Sequence, residues 1–205
     1  MLTVSNLKYI YNQITYQYSL ELKEGEIVAV MGESGSGKST LLDLLCGFLT
    51  PLSGTIMLNN QEISKTPLKN RDISILFQND NLFEHLSIKE NLTIGVKKDF
   101  DLTKILKEVG LNGYENKTPD QLSGGEQQRV ALARTLIRES KILLLDEPFS
   151  ALDTKNRHLM LELVKKITVS KNLHTIFITH NKEDVSMIAD KVYQMSKGVL
   201  LPQSI

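Results

Sequence analysis

The feature that most constrains this 205-residue chain is a join between two kinds of sequence. Ile27-Val28-Ala29-Val30-Met31 is a continuous apolar run, and it passes directly into Gly32-Glu33-Ser34-Gly35-Ser36-Gly37-Lys38-Ser39-Thr40. An apolar run without alternation suits a strand buried on both faces, the usual condition in a parallel sheet covered by helices. Beyond the glycines, Leu41, Leu44, Leu45 and Phe48 recur at helical spacing, which predicts a helix over 39–48, broken by Thr50-Pro51-Leu52-Ser53-Gly54. The loop between them matches G-x-x-x-x-G-K-[ST], a pattern with a physical reason behind each position. Glycines let successive backbone N–H groups turn inward around phosphate oxygens, and the helix start adds partial positive charge. Lys38 is placed to reach the β- and γ-phosphates, and the Ser39 hydroxyl to ligate Mg²⁺.

The rest of the chain extends the same architecture. Strand-like runs lie at 2–7, 16–22, 55–58, 73–77, 142–145, 175–178 and 191–195. A stretch from about 79 to 138 is helical by pattern, with breaks at 110–113 and Pro119. An amphipathic helix is expected over 154–166, with Leu159, Met160, Leu163, Val164 and Ile167 on its apolar side, and another over 182–189. Strands alternating with helices predict an α/β fold with a mostly parallel sheet core, an N-terminal antiparallel β subdomain and one helical insertion at about 79–138. The whole of 1–205 reads as a single domain.

Charge narrows the function. Lys and Arg total 24, as do Asp and Glu, for a net charge of zero. That balance argues against a protein that coats a nucleic-acid backbone, which needs clustered positive charge. The single cysteine, Cys46, falls on the apolar side of the helix after the glycine loop and reads as a core residue. No run approaches the ~18 consecutive apolar residues of a membrane span.

Further motifs sit at strand and helix ends. Ile142-Leu143-Leu144-Leu145-Asp146-Glu147 is an apolar strand ending in two acids. The first can hold the shell of a magnesium ion and the second can orient or deprotonate water. Leu122-Ser123-Gly124-Gly125-Glu126-Gln127-Gln128-Arg129 reads locally as a capping box, S-x-x-E, opening a helix, with two adjacent glycines that capping alone does not require. This run resembles the signature motif of ABC-transporter ATPases, P-loop NTPases whose nucleotide is sandwiched between two cassettes.

The resemblance covers nearly the whole chain and gives other residues roles. It implies ATP and Mg²⁺ as ligands. Gln78, after the 73–77 strand, corresponds to the Q-loop glutamine, which touches the metal. Ser150-Ala151-Leu152-Asp153 resembles the D-loop, although Asp153 is also a natural helix cap. His180 corresponds to the switch histidine near the γ-phosphate. Tyr11 corresponds to the aromatic that stacks on adenine, with Tyr9 and Tyr16 as alternatives. Glu33 stands where many members have proline. By the same resemblance, Ser39, Gln78 and Asp146 organise Mg²⁺, Glu147 activates water, and Ser123, Gly124 and Gly125 of a second copy close over the nucleotide.

The segment 76–88, including Asn81-Leu82-Phe83-Glu84-His85-Leu86, resembles the permease-facing region of bacterial solute importers. Together with Gly47-Phe48-Leu49-Thr50-Pro51-Leu52-Ser53-Gly54 it is most similar to the ATPase subunits of thiamine importers. What this implies is a homodimer of ATPase subunits peripheral to the cytoplasmic face of the cell membrane. Its partners are permease subunits and, indirectly, a periplasmic or surface solute-binding protein. Leu82, Phe83, Leu86 and Ile88 are the candidate permease contacts. The rival readings are another importer, a lipoprotein or peptide exporter, and a soluble non-transport ATPase. Two cassettes in one chain, sustained heptads or a basic tract would mark that last class.

Overall fold

The computed structural model describes residues 1–78, 82–96 and 99–203. In chain order the elements are β1 (Leu2–Tyr11), β2 (Ile14–Leu22), β3 (Ile27–Gly32), α1 (Lys38–Cys46), β4 (Ser53–Leu58), β5 (Gln61–Glu62), β6 (Ile73–Leu76), α2 (Ile88–Thr93), α3 (Leu102–Glu108), α4 (Gly124–Leu136), β7 (Ile142–Asp146), α5 (Thr154–Ser170), β8 (His174–Ile178), α6 (Lys182–Ile188), β9 (Lys191–Ser196) and β10 (Val199–Gln203). One ten-stranded sheet runs β5-β4-β1-β2-β10-β9-β3-β8-β7-β6. Strands β9, β3, β8, β7 and β6 are mutually parallel, whereas β1, β2, β4 and β5 pair antiparallel. The two halves join through β10, which pairs parallel with β2 at Val199 opposite Gln17 and antiparallel with β9.

The unbroken apolar run of β3 divides between two cores. Ile27 and Ala29 pack with α2–α6, while Val28 and Val30 pack with α1 and the antiparallel strands. Strands β7 and β8 divide the same way: Leu143, Leu145 and Phe177 face one core, and Ile142, Leu144, Ile176 and Ile178 the other. Each fully buried aliphatic side chain contributes about 1.5–3 kcal/mol relative to exposure, so these three strands fix the centre of the molecule. Cys46 is fully buried, and burial pushes its thiol up to about 12, well out of the reactive range.

Several boundaries differ from the sequence reading. Strand β1 runs on to Tyr11, so Tyr9, Tyr11 and Tyr16 sit in one hairpin, with Tyr9 opposite Tyr16. Helix α1 ends at Gly47, not at the proline. Gly47 adopts φ 83°, and its N–H returns to the carbonyls of Asp43 and Leu44, a left-handed termination that glycine makes cheaply. Phe48 therefore falls outside the helix and is exposed, while Ser53 and Gly54 begin a strand. In α5, Leu159 is exposed and Leu161 is buried, while Met160, Leu163 and Val164 hold the apolar face as expected. Past Lys197-Gly198 the chain returns as β10, because both residues have positive φ and close a two-residue hairpin.

Candidate functional site

The parallel strands β3, β6, β7 and β8 all point their carboxyl ends to one side, and ligands of open α/β sheets bind there. Gly32 ends β3, Leu76 ends β6, Asp146 ends β7 and Ile178 ends β8. Gln78, Glu147 and His180 follow the last three within two residues, so distant stretches converge without any long side-chain reach. A cavity of about 530 Å³ results, lined by Tyr11, Tyr16, Gly32, Glu33, Ser34, Gly35, Gly37, Lys38, Ser39, Thr40, Gln78, Asp146, Glu147 and His180. A larger cavity, about 750 Å³, opens at the other ends of β6 and β7 and contains none of these residues.

The loop is held open from below. Gly37, at φ 112°, caps α1 without a side chain, leaving the first-turn N–H groups of that helix facing the cavity. A Cβ at Gly37 would lie 2.6 Å from the Tyr16 ring. Tyr18 stacks on Tyr16 at 6.4 Å and donates its hydroxyl to the Gly37 carbonyl at 2.9 Å. Burial raises the Tyr18 pKa, which keeps that hydroxyl a donor. Lys38 Nζ donates to the carbonyls of Gly32 and Glu33, each at 2.8 Å, and so rests across the loop's inner rim. Ser36 is the one loop residue outside the lining. Its carbonyl accepts the Gly198 N–H at 3.2 Å, and its hydroxyl is enclosed without a partner.

Opposite the loop stand two carboxylates of different character. Asp146 is buried, and its pKa is raised by burial first and then by neighbouring Glu147. Ser39 Oγ lies 3.4 Å from Asp146 Oδ2. Glu147 has φ 48°, an uncommon conformation for a non-glycine residue, and its N–H donates to the Ile178 carbonyl at 3.0 Å. That turn aims its carboxylate at His180, whose Nδ1 is 3.0 Å from Glu147 Oε1. An ionised Glu147 only accepts, so the contact places a proton on Nδ1. His180 is otherwise largely exposed at the cavity mouth.

Of the three tyrosines, Tyr11 lines the rim and is 58% exposed, Tyr16 is buried in the floor, and Tyr9 is outside the lining. Of the two tyrosines lining the cavity, Tyr11 is the exposed one.

Four expected ligand-binding residues lie elsewhere on the chain. Ser123 caps α4, accepting the Glu126 N–H, while Glu126 Oε2 takes the Ser123 N–H and hydroxyl at 2.8 Å each. Gly124 has open space around it, and Gly125 sits close under the Ala151 carbonyl. Gln128 ties this helix start to 150–152, donating toward Ser150 Oγ at 3.4 Å and accepting the Ala151 N–H at 3.1 Å. Asp153 caps α5 by accepting from Asn156, which also holds its carboxyl below the usual range. The glycine pair and the 150–153 loop thus form one exposed face, distinct from the cavity on the same chain.

The segment after Gln78 divides in two. Residues 79–81 lie outside the described residues. Leu82 and Ile88 belong to the core, whereas Phe83 is 42% exposed. Arg134 stands over the Phe83 ring at 5.4 Å. Asn91, fully buried, organises this turn: its Oδ1 accepts the Phe83 N–H, and its Nδ2 donates to the carbonyls of Phe83, Leu86 and Ser87. Neither Asn91 nor Tyr18 stands out in the sequence. Tyr18 does share period-two spacing with Tyr16, Leu20 and Leu22, whereas no local pattern marks a buried asparagine.

A phosphate loop, a paired-acid strand end and an α/β core define a P-loop ATPase. The ABC transporter family model matches residues 16–150. The chain is 41% identical to the thiamine import ATP-binding protein ThiQ of Yersinia pseudotuberculosis, covering 97% of this chain and 87% of that protein. It is 43% identical to the ThiQ of Jannaschia sp., over 97% and 90% of the two chains. Its fold superposes with a TM-score of 0.83, at 28% identity, on a dimeric post-hydrolysis structure of the cassette MJ0796 bound to ADP and phosphate. That match covers 98% of this chain and 96% of the other. The chain therefore belongs to the ABC transporter family and is its ATP-binding, ATP-hydrolysing cassette. Among the described residues, no helix is long and apolar enough to cross a membrane.

Proposed function

We propose that this cassette powers thiamine uptake, working as a pair of copies beneath a permease at the cytoplasmic face of the cell membrane. A periplasmic or surface binding protein delivers the solute. Identity to thiamine-import ATPases along nearly the whole chain supports the solute. The observation that carries the paired mechanism is the separation of Ser123–Gly125 and Asp153 from a cavity that already gathers the other site residues. Each chain then holds one half of two sites, which a second copy completes head to tail.

Tyr11 stacks on the adenine, and the N–H groups of 32–40 with Lys38 hold the phosphates. The oxygen donors Ser39, Gln78 and Asp146 fit Mg²⁺, a hard cation that keeps several waters and binds through few protein groups. The pairing of a buried Asp146 with Glu147 is a charge arrangement that a cation relieves. Bound there, Mg²⁺ supplies charge neutralisation at the β- and γ-phosphates. Glu147 accepts a proton from the attacking water, and His180, protonated on Nδ1 by its contact with Glu147, orients that carboxylate and faces the γ-phosphate. The partner copy's signature glycines and Ser123 close over the same phosphate.

Phe83, held outward by the Asn91-organised turn, supports a permease contact, while Leu82 and Ile88 serve the core. The test is uptake of labelled thiamine by cells relying on this cassette, with Glu147→Gln and Phe83→Ala alongside. Thiamine uptake lost in Glu147→Gln, and permease co-purification lost in Phe83→Ala at an unchanged melting temperature, are the expected results. Uptake indifferent to the cassette refutes the solute. A large drop in melting temperature in Phe83→Ala assigns that ring to the core.

A further inference from the structure

Half-buried Arg157 and buried Asp184, on the neighbouring helices α5 and α6, each have one enclosed atom that lacks a partner among the described residues. Arg157, in α5 four residues after Asp153, sends Nη2 toward the carbonyls of Phe149 at 3.5 Å and Leu152 at 3.4 Å, while its Nε–H is enclosed with no acceptor. Asp184, in α6 four residues after His180, is 3% exposed, and its Oδ1 is enclosed with no donor. Burial is the main influence on Asp184 and disfavours its charge. Arg157 and His158 on α5 favour that charge, and Glu183 and Glu147 oppose it. An enclosed arginine N–H and an enclosed carboxyl oxygen left unmatched on two helices that pack together are a costly arrangement, and joining them relieves both. The seam between α5 and α6 is already polar, with His158 Nε2 at 3.5 Å from Glu183 Oε1.

What these residues carry gives the seam its consequence. Arg157 grips the backbone of the 149–152 loop, which bonds to the signature helix through Gln128. Asp184 lies on the helix that begins directly after His180. A small shift of α6 toward α5 therefore moves the histidine relative to the loop that faces the second copy.

We propose that Arg157 is a positioning residue: when two cassettes close on ATP, its Nε–H pairs directly with Asp184 Oδ1, and this pair sets His180 against Glu147. The proposal rests on the paired-cassette reading above. It joins the partner-facing loop to the switch histidine within one chain, through charges that touch neither nucleotide nor metal.

The test is a double-mutant cycle of Arg157→Gln and Asp184→Asn. It is read in ATP hydrolysis by the cassette in its membrane complex and in the melting of the cassette before ATP is added. Each single substitution should lower kcat about tenfold, with KM within about twofold, and the double variant should be no slower than the slower single. Melting temperatures should show no matching non-additivity. Additive losses in kcat overturn the pair, and equal coupling in the melts makes it a fixed structural contact, which also overturns the proposal. Should a variant fail to fold, the structure of the ATP-trapped Glu147→Gln dimer, with Arg157 and Asp184 native, decides the matter. An Nε–Oδ1 distance within about 3.2 Å is expected. A dimer in which the two remain apart overturns the positioning role alone, whereas no ATP-dependent dimer at all overturns the paired-cassette reading and this proposal with it.

Discussion

At the carboxyl ends of β3, β6, β7 and β8, side chains from four separated stretches meet around one cavity, supported from beneath by Tyr16 and Tyr18. At the start of α4, Ser123 and Gly124 stand exposed and Gly125 is half-buried under the Ala151 carbonyl and the Leu152 side chain, with Glu126 and Gln128 bonding around them. The cavity is finished in its own chain. Gly32 and Gly37 sit at positive φ against neighbours, the lysine lies across the rim, and burial and then neighbouring Glu147 disfavour charge on Asp146. The signature face is equally well built as a helix start, with a reciprocal capping box, but it encloses nothing. The difference teaches that precision in this protein is local: one region closes around a cavity within the chain, and the other is an exposed helix start that the paired-cassette proposal assigns to a second copy.

The sharpest way to break that comparison is to separate chemistry from binding inside the cavity. Glu147→Gln removes a base but keeps the shape and the contact to His180. We expect hydrolysis to fall roughly a thousandfold, the scale of a positioned general base, while nucleotide affinity of the isolated chain stays within about threefold and an ATP-dependent dimer accumulates on gel filtration. Lys38→Ala should instead lose nucleotide binding itself. Equal turnover by wild type and Glu147→Gln in the membrane complex would remove Glu147 from the role of base.

The next test sharpens the other side. On the paired-cassette proposal, Ser123→Arg puts bulk where a partner's γ-phosphate would dock, so hydrolysis in the complex should drop roughly a hundredfold, comparable to losing an oxyanion donor. Calorimetric titration of the isolated chain with nucleotide should be unaffected, because every residue lining the cavity is untouched. If Ser123→Arg weakens binding to the monomer as Lys38→Ala does, the two regions are not separate half-sites.

How far these regions could be read from sequence follows the same division. The cavity was legible because its residues sit at strand ends in fixed motifs, and an unbroken apolar run is a reliable sign of a doubly buried strand. The supports were not. Asn91 acts through contacts that no spacing encodes, and Arg71, buried with no carboxylate partner among the described residues, donates to the carbonyls of Leu44, Leu45, Ser64 and Thr66. Phe48 continues the helical period of α1 in sequence, although Gly47 has already ended the helix. The apolar face of α5 includes Leu161 and leaves out Leu159, because the two flank Met160 and periodicity alone does not choose among neighbours. Strand β10 was missed because its pairing partners lie on both sides, in β2 and β9.

The smallest expected effect divides the two regions most cleanly, through one methyl group placed in each. At Gly37 an added Cβ meets the Tyr16 ring at 2.6 Å, and the residue's φ of 112° is one that alanine rarely adopts. Gly37→Ala should cost about 1–3 kcal/mol of stability from strain at a single residue, read as a lower denaturant midpoint, together with weakened nucleotide binding. At Gly124, on the first turn of α4, nothing lies within 4 Å of the new carbon and φ is not positive. Gly124→Ala should therefore leave stability unchanged or raise it by up to about 1 kcal/mol, as alanine restricts the unfolded chain and favours the helix. ATP-driven dimerisation should nevertheless weaken, since the paired-cassette proposal puts a second copy's nucleotide in the open space at Gly124. A Gly124→Ala chain that dimerises on ATP as readily as wild type would show that this glycine serves only the helix start.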